Sequence, residues 1–248
     1  MDEARPQRTD ERAEPGRAVV VTGGDPLPAA AGDVIDRACF VVAADSGVDR
    51  LRELGRHPDL VVGDLDSVSP EGLDGVRRAG LRVEQHPNDK DATDTELALD
   101  AAASRGYRAI TVVSGGGDRL DHVLGWLHVL ADRRWAHRLQ LDAWCATTHI
   151  RVLHGEREHH WHEPERGAVV SLLPLAGPCH GVTTKGLRWP LDDATLSPTS
   201  SRGLSNTVTE HQVSVGLRSG VLAVMRPQRM SASDGTLTPT LDGGPHAQ

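Results

Sequence analysis

Short apolar runs alternate with amphipathic stretches through the first half of the chain. The apolar runs are rich in Val, Ile, Leu and Ala, a composition typical of strands buried on both faces. They predict six strands, at Ala18–Thr22, Phe40–Ala44, Leu60–Gly63, Leu81–Gln85, Ile110–Ser114 and Leu139–Trp144.

Helical periodicity fills the intervals between these strands. The predicted helices are Ala31–Ala38, Val48–Leu54, Glu71–Ala79, Asp94–Ser104 and Leu120–Arg134. The last has the clearest apolar face, formed by Leu120, Val123, Leu124, Leu127 and Leu130. Regular strand–helix alternation predicts an α/β fold, with a Rossmann-like parallel sheet covered by helices on both faces.

The pattern changes after about residue 147. Short apolar runs are separated by Gly, Pro, Ser and Thr, and no helix of useful length is predicted; the runs are Ile150–Leu153, Ala168–Leu173, Val213–Val215 and Val221–Met225. This pattern is typical of a small all-β sandwich. We therefore predict an α/β domain over residues 17–146 and a β-sandwich domain over 147–226, with disordered tails at 1–16 and 227–248.

Composition narrows the class of protein. Of the 248 residues, 38% are hydrophobic, which supports a real core, and neither a membrane-spanning stretch nor a signal-peptide core is recognised. A soluble, cytoplasmic protein without a membrane partner is expected. The net charge of −8 argues against nucleic acid as a partner. The three cysteines form no CxxC pair, so neither a disulfide framework nor a zinc knuckle is indicated.

Aspartates recur where predicted strands end or helices begin. They are Asp45, Asp64, Asp66, Asp91, Asp94 and Asp121. The carboxyl ends of parallel strands meet at one edge of a sheet, so these carboxylates are expected to converge there, where Mg²⁺ could hold a polyphosphate between them. Asp64 and Asp66 would face the same way if they lie on a strand. One such motif alone is more often a polar turn, but several together favour a metal site.

Two features beside these acids have competing interpretations. Asp91 and Asp94 could bind metal, accept a proton, or stabilise the start of a helix, with Thr93 or Asp94 as its cap. Lys90 could reach a phosphate or merely neutralise its acidic neighbours.

A glycine run before the best helix is a candidate phosphate loop. The backbone amides of Gly116 and Gly117 could wrap a phosphate, and Arg119 could grip two of its oxygens. Asp121 and His122 could orient Arg119, bind the nucleotide or cap the helix. A dinucleotide fingerprint is excluded because Leu120 stands where a glycine is required, and the Gly-Lys-Ser/Thr of a P-loop is missing from the chain.

The second half offers weaker candidates. His160 and His162 would share a strand face and could bind a transition metal, although a solvated histidine-rich hairpin is the favoured interpretation. Trp189 could stack on an aromatic ring, but a core position is favoured. Ser205 and Asn206 could form hydrogen bonds to a bound heterocycle or simply close a hairpin.

Six motifs in a fixed order resemble the thiamine pyrophosphokinase family. They are AADSG, PDLVVGDLDS, KDATDTELAL, GGGDRLDH, TKGLRWPL and GLSN, and together they span most of residues 18–226. The resemblance implies transfer of pyrophosphate from ATP to thiamine, with release of AMP. It also implies an α/β catalytic domain, a β-sandwich domain, and a homodimer that binds thiamine at its interface.

Roles carried over by motif follow from this resemblance. It implies that Asp45, Asp64, Asp66 and Asp94 hold Mg²⁺ and pyrophosphate. Arg119 and Asp121 would contact the nucleotide or its phosphates, and Ser205 and Asn206 would form the turn that recognises thiamine across the dimer. Trp189, in the motif TKGLRWPL, is a further candidate for the thiamine site. One departure from the family pattern is Asp118, which replaces a glycine beside the phosphate loop. A hydroxymethylpterin pyrophosphokinase and a non-catalytic nucleotide or metal sensor remain alternatives.

Overall fold

The computed structural model describes residues 16–117, 119–162 and 164–228. Asp118 and the predicted tails lie outside the described residues, apart from Gly16, Pro227 and Gln228.

Six parallel strands form the first part of a large sheet, and five α-helices connect or flank them. The strands are β1 (Arg17–Val21), β2 (Phe40–Ala44), β3 (Leu60–Gly63), β4 (Arg82–Gln85), β5 (Ala109–Ser114) and β6 (Gln140–Cys145). The helices are α1 (Ala31–Asp36), α2 (Gly47–Glu53), α3 (Pro70–Arg78), α4 (Asp94–Ser104) and α5 (Leu120–Leu130). Every strand and helix predicted in this half is present, with its ends shifted by a few residues at most.

Helix boundaries follow from local capping chemistry. The Ser69 hydroxyl accepts a hydrogen bond from the Gly72 amide at the start of α3, and Thr93 does the same for Glu96 at the start of α4. The helix predicted to reach Arg134 instead ends at Leu130. The Asp132 carboxylate accepts from the Arg134 amide and opens a separate 3₁₀ turn, Arg133–Trp135, because aspartate competes with helical backbone bonding.

The parallel strands are packed on both faces. Val20, Val42 and Val62 point to the layer that contains α4 and α5. The alternate residues Val19, Val41 and Val61 point to the layer formed by α1, α2 and α3. This alternation places the parallel sheet between two layers of helices, and it confirms the predicted α/β class.

The predicted apolar stripe of α5 is buried only in its second half. Leu127 and Leu130 lie in the core, whereas Leu120 and Leu124 are 64% and 47% exposed. The helical period was therefore correct, but the sheet beneath α5 covers only part of its length.

The C-terminal region is all-β, as predicted; its strands are antiparallel, and four of them extend the large sheet. They are β7 (Thr148–His154), β9 (Val169–Pro174), β12 (Asn206–Thr207) and β14 (Val221–Pro227), which give the order β12-β9-β14-β7-β6-β5-β1-β2-β3-β4. The predicted boundary at residues 146–147 falls in the β6–β7 hairpin, and hydrogen bonding continues across it. The division into two domains stays a prediction.

A second sheet packs on this antiparallel part. It contains β8 (Arg157–His162), β10 (Cys179–Lys185), β11 (Ala194–Leu196) and β13 (Gln212–Leu217), in the order β11-β10-β13-β8. Trp161, Val213 and Leu222 are among the residues buried between the two sheets. Strand β8 was not among the predicted apolar runs, because its inward positions are His159 and Trp161 rather than aliphatic residues; only the spacing of His160 and His162 indicated it.

A buried ionic cluster joins the parallel and antiparallel parts of the large sheet. The Asp142 carboxylate on β6 lies 3.2 Å from Arg17 Nη1 on β1 and 2.5 Å from Arg151 Nε on β7, with His149 Nε2 at 3.5 Å. Burial raises the pKa of Asp142, but the charge of Arg151, the hydrogen bond to His149 and the charge of Arg17 outweigh it and hold that pKa below its ordinary value.

Asp142→Asn should lower the free energy of unfolding by about 3–5 kcal/mol, because it leaves buried cations without their counter-charge. Asp36→Asn is the control: it breaks the more exposed ion pair to Arg56 and should cost no more than about 1 kcal/mol. Urea unfolding measures both. The difference should hold at neutral pH and disappear as pH falls through the lowered pKa of Asp142. Equal losses at pH 7 would contradict this role.

Candidate metal and nucleotide site

Three aspartates converge at the carboxyl edge of the parallel sheet. Asp45 follows β2 with a left-handed backbone (φ 46°), and Asp64 and Asp66 follow β3. One carboxylate oxygen from each lies within 4.8 Å of the other two. This spacing lets the three oxygens bind one cation.

The turn after β3 brings Asp64 and Asp66 together. The strand ends at Gly63, so Asp64 and Asp66 do face the same way, but alternation along a strand is not the reason. Leu65 instead adopts a left-handed conformation (φ 68°) and packs against the α1–α3 layer. The Asp66 amide donates to Asp64 Oδ1 at 3.3 Å, which folds the two carboxylates onto the same side of the turn.

Gly63 makes room for this arrangement. Its φ is +148°, and a Cβ atom there would lie 3.1 Å from Asp94 Oδ1 and 3.2 Å from Asp45 Cβ. A side chain at position 63 would therefore push apart two of the acids, in addition to straining the backbone.

Lys90 lies among the acids and pairs with two of them. Its Nζ is 2.6 Å from Asp64 Oδ2 and 3.1 Å from Asp94 Oδ1. The hydrogen bond from Lys90 lowers the pKa of Asp64. Although burial lowers the pKa of Lys90, its bonds to both carboxylates raise it on balance. Lys90 therefore neutralises its acidic neighbours, which is one of the two roles considered for it.

Asp45 is the most buried of the three acids. It is 8% exposed, and its pKa is raised first by burial and then by the negative charges of Asp94 and Asp64. Its Oδ1 atom is buried and makes no hydrogen bond within the described ranges. An unpaired buried carboxylate oxygen facing other carboxylates is the donor set that a hard divalent cation requires, so these residues fit Mg²⁺.

The two acids at the start of α4 separate in space. Thr93 caps the helix, so the capping role is filled and the Asp94 carboxylate faces Lys90 and Gly63. Asp91 is exposed and takes no part in the hydrogen bonds or ion pairs described for the acidic group. The structure thus brings together Asp45, Asp64, Asp66 and Asp94, but not Asp91.

The predicted phosphate loop meets a second glycine loop that sequence reasoning missed. The loop after β1 contains Gly23 and Gly24, and the Asp25 amide donates to the Gly116 carbonyl oxygen at 3.4 Å. A Cβ on Gly24 would lie 2.4 Å from that oxygen, and one on Gly115 would lie 2.0 Å from the Asp25 carbonyl oxygen. Only glycines permit this contact. The signal was available, since a glycine pair follows the first strand.

These two loops lie where the sheet changes direction of winding. From β1 the chain builds β2, β3 and β4 on one side, whereas β5 and β6 lie on the other. In open α/β sheets, ligands bind in the crevice at the carboxyl ends of the strands at such a switch point.

Arg119 and Asp121 form an exposed pair at the start of α5, shortly after the second of these loops. Two hydrogen bonds join them, from Arg119 Nε at 3.0 Å and from Nη2 at 2.8 Å. The pair lowers the pKa of Asp121 to about 2, chiefly through the hydrogen bond from Arg119. His122 is exposed, and Gly117 has φ +130°. Asp121 therefore orients Arg119, one of the three roles considered for it.

Two further neighbours of the acids were not anticipated. Ser67 Oγ donates to Asp66 Oδ1 at 2.9 Å, and Asn88 Nδ2 donates to Asp66 Oδ2 at 3.2 Å. These bonds orient the most exposed carboxylate of the group. Asn88 lies far from Asp66 in sequence, so no local pattern could have identified it.

In the C-terminal region, Asn206 organises Trp189. The Asn206 side chain is buried; its Oδ1 accepts from the Trp189 amide at 3.1 Å, and its Nδ2 donates to the Trp189 carbonyl at 2.7 Å. Trp189 is 55% exposed, so the prediction that it lies in the core was wrong. Ser205 has φ 56° and its amide donates to Ser171 Oγ. Asn206 thus fixes the backbone at Trp189, whose indole is exposed to solvent.

The histidines of β8 give no comparable site. His160 and His162 share the exposed face of that strand, as predicted. In the described segments, however, the potential metal ligands that lie close enough together to share one ion are Asp45, Asp64 and Asp66, not these histidines. Across the same segments, no helix is both long and apolar enough to span a bilayer.

Two profiles of one protein family match the chain in order. The profile described as thiamin pyrophosphokinase, catalytic domain, matches residues 31–141, and that of the vitamin B1 binding domain matches residues 153–222. The chain belongs to the thiamine pyrophosphokinase family. The resemblance inferred from the ordered motifs is confirmed.

Individual members of the thiamine pyrophosphokinase family are similar to this chain in sequence and in structure. Thiamine pyrophosphokinase 1 of rice, Oryza sativa subsp. japonica, is 27% identical over 222 residues, covering 79% of this chain and 82% of that protein. The crystal structure of thiamine pyrophosphokinase from Bacillus subtilis superposes with a TM-score of 0.75 at 23% identity, covering 86% of this chain and 100% of that one. That from Geobacillus thermodenitrificans gives 0.73 at 26% identity, covering 87% and 99%.

Gly63→Ala should weaken binding of a divalent cation about tenfold, because its methyl group displaces Asp94 and Asp45. Mn²⁺ titration followed by electron paramagnetic resonance measures the affinity. Gly80→Ala is the matched control, since Gly80 also has a positive φ (+57°) but open space around it. The control should lose about 1 kcal/mol of stability and keep its Mn²⁺ affinity. Equal Mn²⁺ affinity in both variants would show that the space at Gly63 is irrelevant.

Proposed function

We propose that this protein is a Mg²⁺-dependent thiamine pyrophosphokinase, which transfers the terminal pyrophosphoryl group of ATP to thiamine and releases AMP. The observation that carries the proposal is the convergence of Asp45, Asp64 and Asp66 beside a switch-point crevice, in a chain of this family. The crevice suits a nucleotide, and the acids suit the cation that accompanies its phosphates.

In this proposal Asp45, Asp64, Asp66 and Asp94 hold the metal. The unpaired Asp45 oxygen and the spacing of the three nearest carboxylates support that assignment. Mg²⁺, when bound, neutralises negative charge on the phosphates and so lowers the barrier to attack by a hydroxyl oxygen. Lys90 then has a second role, because a cation between the acids frees its ammonium group to contact a phosphate.

The protein's own contribution is positioning and charge. The two glycine loops approach the nucleotide with backbone amides, and Arg119, oriented by Asp121, grips phosphate oxygens. The thiamine hydroxyl oxygen attacks the β-phosphorus, the bond to the α,β-bridging oxygen breaks, and AMP leaves. Of the two candidate proton acceptors, Asp94 lies within the acidic group, so the proposal retains it and omits Asp91.

Thiamine is assigned to the exposed Trp189. Its indole can stack on an aromatic heterocycle, and Asn206 holds the backbone that carries it. We assign the complete site to a homodimer, in which one protomer supplies the acids and its partner supplies Trp189. The exposed leucines Leu120, Leu124 and Leu204 support association, because a contact between protomers would remove them from water.

AMP release from Mg·ATP should depend on thiamine, and Asp64→Asn should reduce it at least about a hundredfold because the metal loses a charged ligand. The control is Asp74→Asn, on the exposed face of α3, which should keep its activity. Chromatography of AMP measures the rate, and circular dichroism checks the fold.

The same assay separates the alternatives. AMP release with 6-hydroxymethylpterin instead of thiamine would identify a pterin pyrophosphokinase. Thermal stabilisation by ATP with no AMP from either alcohol would identify a sensor. Full activity of Asp64→Asn would remove Asp64 from the metal site.

Mixing two inactive variants tests the shared site. Asp64→Asn and Trp189→Ala should each lose activity at low thiamine, but mixed dimers carry one intact site built from Asp64 of one chain and Trp189 of the other. Random exchange of protomers should restore about a quarter of the normal rate. The rate is measured as AMP release after co-refolding. No recovery in mixtures whose dimers have formed would place Asp64 and Trp189 of each site in the same protomer.

A further inference from the structure

The turn that carries Asp64 and Asp66 is anchored at both ends. It begins where β3 ends at Gly63, and it ends at Ser69, the residue that caps α3. Val68, just before the cap, is buried in the α1–α3 layer. The positions of the two carboxylates therefore depend on where Ser69 is held.

Asp49 holds Ser69 through two hydrogen bonds. Its Oδ2 accepts from the Ser69 amide at 2.9 Å, and its Oδ1 accepts from the Ser69 hydroxyl at 2.5 Å. The same hydroxyl oxygen accepts from the Gly72 amide at 3.0 Å. Asp49 thus bonds both the backbone and the side chain of the residue where the turn ends and the helix begins.

Asp49 also belongs to the segment that positions the third acid. It lies in the first turn of α2, whose start is joined to Asp45 by the bond from the Val48 amide to the Asp45 carbonyl oxygen. One carboxylate therefore links the segment carrying Asp45 to the segment carrying Asp64 and Asp66. Such a link sets the distance between the two sources of metal ligands.

The surroundings of Asp49 are built closely around this bond. Asp49 is 4% exposed, and a Cβ on Gly72 would lie 2.5 Å from its Oδ1. The first turn of α3 can approach Asp49 because position 72 is a glycine. With both oxygens bonded to Ser69, Asp49 is not itself a candidate metal ligand, and it falls outside the acidic group.

We propose that Asp49 is a positioning residue for the metal site: through Ser69 it holds the Asp64–Asp66 turn at the distance from Asp45 that lets the three carboxylates share one cation. This inference rests on the metal site of the proposed function. Asp49 acts through Ser69 and touches neither metal nor substrate.

Asp49→Asn tests the proposal directly. The amide keeps the size of the side chain but removes its charge and leaves one accepting oxygen for the Ser69 amide and hydroxyl. The two charge-assisted bonds therefore become at most one neutral bond to the amide and a reversed, neutral bond to the hydroxyl. The variant should require about tenfold or more Mn²⁺ for half-saturation, measured by electron paramagnetic resonance on the full chain. The Mg²⁺ concentration that gives half-maximal AMP release should rise in parallel, whereas the rate at saturating Mg²⁺ should fall less.

Asp59→Asn is the matched control. Asp59 lies just before β3, and its Oδ2 accepts from the Val41 amide of β2 at 2.9 Å. Like Asp49 it is an aspartate that links two segments, but it lies at the amino edge of the sheet, away from the acids. This variant should lose stability in urea unfolding and keep the normal Mn²⁺ affinity. If both variants lose stability and neither loses Mn²⁺ affinity, Asp49 is structural and the proposal is overturned.

Ser69→Ala provides a second variant that retains the Asp49 carboxylate. It should weaken Mn²⁺ binding less than Asp49→Asn, because the charged carboxylate still accepts from the Ser69 amide. The double variant should lose less affinity than the sum of the two single losses, since both changes act on one link. Additive losses would overturn the proposal, and Ser69→Ala decides the matter if Asp49→Asn fails to fold.

Wild-type measurements separate this inference from the proposed function. Normal Mn²⁺ binding without thiamine-dependent AMP release would reject the function and still leave Asp49 testable by Mn²⁺ affinity. Normal wild-type activity with unchanged Mn²⁺ affinity in Asp49→Asn would reject the positioning role alone. A wild-type protein that binds no Mn²⁺ would overturn both.

Discussion

The repulsion among carboxylates at one edge of the parallel sheet is the constraint on which the rest of the site depends. Asp45, Asp64 and Asp66 bring their oxygens within 4.8 Å of one another, and burial of Asp45 makes its charge more costly. Lys90 offsets part of this cost through its bonds to Asp64 and Asp94. Like charges stay close together only where the surrounding structure holds them or where a cation offsets their repulsion. Here the turn after β3 holds Asp64 and Asp66 together, and the Lys90 ammonium group is the cation.

The fold supplies that support through the order of its strands. Because β1 and β5 are neighbours and the chain winds away from them in opposite directions, the loops after them meet at the switch point, at the same edge of the sheet as the acids. The large sheet then continues through β7 into the antiparallel region, and Asp142 with its arginine neighbours joins the two parts. The acidic edge and the Asn206 strand that supports Trp189 are therefore attached to one hydrogen-bonded sheet.

Several sequence inferences failed for reasons of tertiary structure. Leu120 and Leu124 have the spacing of a core stripe, yet they are exposed because nothing in the described part of the chain covers that end of α5. Trp189 was expected in the core but is held outward by Asn206. Strand β8 was not found among the apolar runs because histidine and tryptophan occupy its inward positions. In each case the local pattern was real, but burial depends on which element packs above it.

The sequence by itself determined the strands and helices of the α/β half, the acids at the strand ends and the family. Periodicity, capping residues and ordered motifs are local properties, which a single segment carries without its neighbours. Only the tertiary structure decided which acids meet, that Gly24 approaches Gly116, and that Asp49 bonds Ser69. Those relations join segments far apart in the chain, and their distances follow from strand order and packing rather than from any local pattern.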